Sequence, residues 1–72
     1  MSIKIGVLTI SDRASRGEYE DLSGVAIIDI LEEYISSPFS YVYKLVADEQ
    51  PLIEQALIEL CDKDKCSLVV TT

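Results

Sequence analysis

The run Ile3–Ile10, IKIGVLTI, constrains the fold more than any other stretch of the chain. It is short, rich in β-branched residues and apolar at both alternating sets of positions, with Lys4 near its start as its one charge. A strand that faces water on one side alternates apolar with polar residues. A strand with no polar face belongs in the middle of a parallel sheet, covered on both sides.

The rest of the chain supplies partners for such a strand. A helix is expected to begin near Asp21 or Ser23, either of which can cap the free amides of a first turn. On a 3.6-residue wheel, Ile27, Ile28, Ile30, Leu31, Tyr34 and Ile35 share a broad apolar face opposite Asp29, Glu32, Glu33 and Ser36. Ser37-Pro38 ends that helix, because the residue before proline is driven out of helical geometry. Tyr41–Val46 reads as a second strand, and Lys44 within it marks an edge or half-exposed position. Asp48 is expected to cap a second helix in which Pro51 occupies the first turn, where no helical amide bond is lost. Leu52, Ile53, Ala56, Leu57, Leu60 and Cys61 form its apolar stripe. Asp62-Lys63-Asp64-Lys65 then makes a polar turn, and Cys66–Thr72 reads as a third strand.

The order is β-α-β-α-β, and right-handed crossovers turn it into a parallel α/β sheet. Three strands with two helices are expected to leave one face of the sheet largely bare. Residues 1–72 are therefore read as the N-terminal portion of a single, larger α/β domain.

Composition narrows the function. The chain has 72 residues, 49% of them hydrophobic, and a net charge of −7. Residues 1–16 carry Lys4, Arg13 and Arg16 against Asp12, a balance of +2, which leaves −9 for the remainder. That distribution argues against a nucleic-acid partner and allows a small anionic ligand beside the early arginines. No apolar run approaches the roughly 18 residues of a membrane span, and nothing at the N-terminus resembles a signal peptide, so no membrane partner and a cytoplasmic setting are expected. Cys61 and Cys66 have no histidine in the chain to join them in a zinc site and are expected to be buried thiols.

Ligands of open parallel sheets bind beyond the carboxyl ends of the strands. Three segments reach that edge: the loop that opens Ser11-Asp12-Arg13, the turn Ala47-Asp48-Glu49-Gln50, and Thr71-Thr72. The first offers a hydroxyl, a carboxylate and a guanidinium in succession, followed by Arg16-Gly17, a set suited to phosphate and a metal ion. The competing reading is a polar surface loop closed by an Asp12–Arg13 or Arg16–Glu20 ion pair. Asp48-Glu49 likewise reads either as helix capping or as a Mg²⁺ ligand set, and Tyr19 as a plug or a stacking surface. Neither GxGxxG nor GxxxxGK[ST] is present.

In order, SDRASRGEYED after the first strand, SPF before the second, DEQ at the start of the second helix and LVVTT at the end resemble the Mog-type molybdopterin adenylyltransferases of molybdenum cofactor biosynthesis. The resemblance implies a three-layer, parallel-sheet molybdopterin-binding fold, of which this chain matches the front part. It implies transfer of AMP from Mg-ATP to molybdopterin, giving adenylyl-molybdopterin and pyrophosphate, in a cytoplasmic homotrimer. It implies that Asp48 is catalytic and holds Mg²⁺, and that Ser11, Asp12, Arg13, Thr71 and Thr72 bind substrate. Thr71 and Thr72 match the start of the family's TTGGTG loop, whose glycines, with the second catalytic aspartate, have no counterpart here. A pterin-binding relative without catalysis is the alternative.

Overall fold

The computed structural model describes residues 3–72. Strand β1 (Ile3–Ile10) is followed by a single helical turn, α1 (Asp12–Ser15), and then by helix α2 (Leu22–Tyr34). Strand β2 (Phe39–Val46), helix α3 (Gln50–Ile58), a π-helical turn (Glu59–Lys63) and strand β3 (Leu68–Thr71) complete the chain. The strands are parallel in the order β2-β1-β3, with Ile3 opposite Phe39 and Ile5 opposite Leu68. The apolar run therefore sits in the centre, and Lys44 lies on a strand at the edge, as its charge requires.

Placing β2 and β3 on opposite sides of β1 has a direct consequence for the helices. Right-handed crossovers that leave a strand in opposite directions put their helices on opposite faces. Leu8, on one face of β1, packs with Ala56 and Leu60 of the α3 segment, joined by Val42, Val46, Leu57 and Val69. A side chain at Gly6 on that face would meet Leu60 at 3.2 Å. Ile5, Val7 and Thr9 point the other way and are buried. The α2 helix covers that side, with Gly24 seated over Thr9. Both faces thus carry a helix, contrary to the expectation of one bare face.

What stays uncovered is the flank of α2. Gly24, Ile28, Leu31 and Ile35 recur at i, i+4, i+7 and i+11 and, with Ile27, are the buried or half-buried positions from Leu22 to Ile35. Ile30 and Tyr34 fall beside that stripe and are exposed, rather than sharing the buried face. Leu22, Val25 and Tyr41 are exposed too.

Two local readings also change. Asp48 does not cap α3: the capping position is Glu49, which makes no side-chain cap bond, and Pro51 lies in the first turn. The last turn of the stripe widens into the π-helical turn, which leaves Cys61 exposed while Cys66 is half-buried; both thiols are free. Lys65 closes the segment in the left-handed region at φ 55°. Lys44 Nζ donates to Glu59 Oε2 at 2.9 Å, tying β2 to this turn.

Leu60 is fully buried at the centre of the α3 face. Leu60→Ala is expected to cost about 2–5 kcal/mol, a large share of the roughly 5–15 kcal/mol of net stability typical of a folded domain. Urea denaturation followed by circular dichroism measures it.

Candidate functional site at the carboxyl edge

The strand order reverses between β1 and β3, because the chain runs outward to β2 and returns on the other side of β1. Such a reversal opens a crevice at the carboxyl ends of the two strands. A cleft of about 640 Å³ lies there, walled by Thr9, Ile10, Ser11, Tyr19, Asp21, Ser23 and Thr72 among others.

Backbone bonds fix its rim. Ser11 N–H donates to Val46 O at 2.9 Å and Thr72 N–H to Leu8 O at 3.1 Å, so the chain is held to the sheet at both strand exits. Ser11 Oγ caps α1 by accepting from Ala14 N at 3.3 Å and lies 3.0 Å from the Tyr19 hydroxyl. The sequence treats SDRAS as loop; its single helical turn follows from that cap.

Asp12 spans the gap to the next loop. Its Oδ1 accepts from Asp48 N–H at 2.8 Å. This bond joins the turn after β1 to the turn after β2 and sets two carboxylate-bearing residues on adjoining backbones. The Asp48 side chain is exposed. Among the described residues no group of three or more metal-ligating side chains converges. Two carboxylates nonetheless suit Mg²⁺, which keeps several waters and takes its other ligands from substrate phosphates.

Arg13 stands outside the cleft, 5.8 Å from the centre of the Tyr19 ring, with Nε 3.8 Å from Glu18 Oε1. Arg16 Nε lies 2.7 Å from Glu18 Oε2. The loop is closed through Glu18, rather than by an Asp12–Arg13 or Arg16–Glu20 pair, because Gly17 at φ 76° turns the chain back over α1. Thr71 ends β3 opposite Leu8 and is exposed. Of the residues singled out from sequence, Ser11 and Thr72 line the cleft and Asp12 meets Asp48. Arg13, Thr71 and the two aspartates lie outside the cleft walls.

Sequence reasoning missed the inner wall of the cleft. Asp21 caps α2, its Oδ1 accepting from Gly24 N–H at 3.0 Å, while Oδ2 accepts from the Tyr43 hydroxyl on β2. Thr9 Oγ1, buried beside them, falls outside hydrogen-bond geometry with any described residue. Gly24 makes the arrangement possible: a Cβ there would come within 2.8 Å of Tyr43 Cε1 and 2.9 Å of Thr9 Oγ1. Desolvation raises the Asp21 pKa, but hydrogen bonds from the Tyr43 hydroxyl and the first-turn amides outweigh it and hold the carboxyl below its ordinary value. Desolvation and the Asp21 carboxylate push Tyr43 up to about 12. The available signals were a threonine in an aliphatic strand and a glycine inside a helix.

No family model matches the chain. Among curated proteins, a molybdopterin adenylyltransferase of Helicobacter pylori is 58% identical over 71 residues, 99% of this chain and 40% of that protein. Over the stretch it spans, the chain is similar to molybdopterin adenylyltransferases. The molybdopterin adenylyltransferase of Escherichia coli is 44% identical over 99% of this chain and 36% of its own length. That of Pyrococcus furiosus is 38% identical over 99% and 40%. The crystal structure of the molybdopterin biosynthesis enzyme MoaB from Thermus thermophilus superposes with a TM-score of 0.82 at 36% identity, over 96% of this chain and 42% of that one. The chain therefore spans about 40% of the length of the first relatives it matches, and its β2-β1-β3 fold superposes on part of the MoaB structure.

The Asp21–Tyr43 bond gives a pH signature. Tyr43 contributes stability fully below its unfolded value of 10.0, and that contribution is lost as pH rises toward about 12. Asp21 behaves oppositely: its contribution is complete above 3.8 and disappears as pH falls below that value. In a spectrophotometric titration one of the four tyrosines is expected to ionise late, near 12, and Asp21→Asn to bring it back toward 10.

Proposed function

We propose that these residues form the N-terminal portion of a single molybdopterin-binding domain. The whole protein transfers AMP from ATP to molybdopterin, giving adenylyl-molybdopterin and pyrophosphate in molybdenum cofactor biosynthesis, as a cytoplasmic homotrimer. The names of the relatives support the pathway and the class of enzyme. The observation that supports the chemistry is the bond from the Asp48 amide to the Asp12 carboxylate, which joins two carboxylate-bearing loops at the carboxyl edge of the sheet.

Nucleotidyl transfer rests on positioning and charge neutralisation more than on a protein nucleophile. An oxygen of the terminal phosphate of molybdopterin attacks the α-phosphorus of ATP, and the bond to the bridging oxygen breaks to release pyrophosphate. Asp48, with Asp12 beside it, would hold Mg²⁺, which when bound draws charge from the phosphate oxygens. Asp12 additionally fixes the Asp48 backbone through the bond to its amide. Arg13 is the nearby fixed cation for phosphate charge, and the hydroxyls of Ser11, Thr71 and Thr72 supply neutral donors to the substrates. The isolated 72-residue segment is proposed to be inactive.

Assay of the whole protein with Mg-ATP and molybdopterin tests this reading. Asp48→Ala is expected to lower the rate by about 100-fold or more, the scale of losing metal-supported charge stabilisation worth several kcal/mol. An unchanged rate removes Asp48 from the mechanism. Molybdopterin binding without any AMP transfer would instead favour a non-catalytic pterin binder.

A further inference from the structure

The loop after β1 holds the cations nearest the candidate site, and both answer to one carboxylate. Lys44 is committed to Glu59. Lys4 lies at the opposite end of β1, and Lys63 and Lys65 lie on the turn that leads into β3. Arg13 and Arg16 remain for the carboxyl edge. Glu18 places one oxygen 3.8 Å from Arg13 Nε and the other 2.7 Å from Arg16 Nε. Its own backbone N–H donates to Arg13 O at 2.9 Å, after the reversal at Gly17, so the carboxylate is returned to the arginines by the fold of the loop. The Tyr19 ring supports Arg13 from beside it.

Two guanidinium groups converging on the two oxygens of one carboxylate form a receptor for a tetrahedral or bridged anion. We infer that Glu18 is an internal counter-anion that occupies an Arg13–Arg16 phosphate-binding pair and is displaced when a phosphate-bearing ligand arrives. The inference rests on the reading of this edge as the phosphate-handling side of the site and adds its regulation: the ligand must compete with a group of the chain itself. The exchange favours the ligand. All three side chains are substantially exposed, at 70% for Arg13, 63% for Arg16 and 45% for Glu18, so the internal pairs are solvent-screened and weak. A di- or polyanionic phosphate offers more charge and more acceptor oxygens, which guanidinium groups bind bidentately. Glu18 also keeps the arginines gathered in the absence of ligand, in a chain whose other carboxylates at this edge, Asp12, Asp48 and Glu49, would draw them elsewhere.

The test uses inorganic pyrophosphate as the probe, titrated calorimetrically into the whole protein at low and at moderate salt. Glu18→Gln is expected to tighten binding about two- to fivefold, the range set by an exposed ion pair. Arg13→Ala and Arg16→Ala are each expected to weaken it and to flatten its salt dependence. Glu32→Gln, which removes the same charge from the outer side of α2, controls for net charge. An unchanged or weaker affinity in Glu18→Gln, or an equal gain in Glu32→Gln, overturns the inference. Thermal melts confirm that these exposed substitutions leave the fold intact. The probe contains no nucleotide or pterin, so the two readings fail separately. Loss of AMP transfer with this binding pattern preserved counts against the enzyme alone, and intact transfer with a neutral Glu18→Gln counts against the counter-anion alone.

Discussion

The candidate site depends on β1 being bonded along both edges. With β2 on one side and β3 on the other, the strand is paired along both edges, and that pairing fixes where its carboxyl end lies. The bonds that continue the two ladders, from Ser11 to Val46 and from Thr72 to Leu8, extend that placement into the loops. The same strand order sends the helices to opposite faces and opens the cleft where the order reverses. Fold and site are consequences of one placement.

Around that fixed point, side chains join elements distant in sequence. Asp12 ties the first loop to the turn before α3, and Asp21 ties the start of α2 to Tyr43 on the edge strand. Both use a carboxylate as acceptor, one for a backbone amide and one for a phenol and an amide. Gly24 permits the second by letting α2 settle against Thr9 and Tyr43. The acidic character of the chain is thus partly structural: these carboxylates hold the frame of the cleft, while Asp48 and Glu49 remain exposed.

The elements were legible where the pattern was local. A two-faced apolar strand, a charged residue on an edge strand and a first-turn proline each have one simple physical solution, and the structure adopts it. The sequence offers Asp21 or Ser23 as the cap of α2, and Asp21 takes the position. Its bond to Tyr43 was not legible, because nothing in the sequence ties positions 22 residues apart. Helix placement on both faces was missed since it follows from which side of β1 the third strand takes. Cys61 was read as buried because the apolar stripe was continued at 3.6 residues per turn, whereas the π-helical turn rotates that position outward. At the site, Ser11, Asp12, Arg13, Asp48, Thr71 and Thr72 came from residue chemistry and family resemblance. The structure gathers two of them into the cleft wall and bonds two others. The role of Glu18 emerges only once the reversal at Gly17 is seen.

The central claim is that Asp12 and Asp48, joined by one hydrogen bond, serve as the divalent-cation ligands of a phosphate-handling edge. Paramagnetic resonance of Mn²⁺, used in place of Mg²⁺ and titrated into the whole protein with a non-hydrolysable ATP analogue, tests it without reference to turnover. The account predicts one nucleotide-dependent Mn²⁺ site that is weakened in Asp12→Asn and lost in Asp48→Asn. Binding that is unchanged in both variants would contradict it.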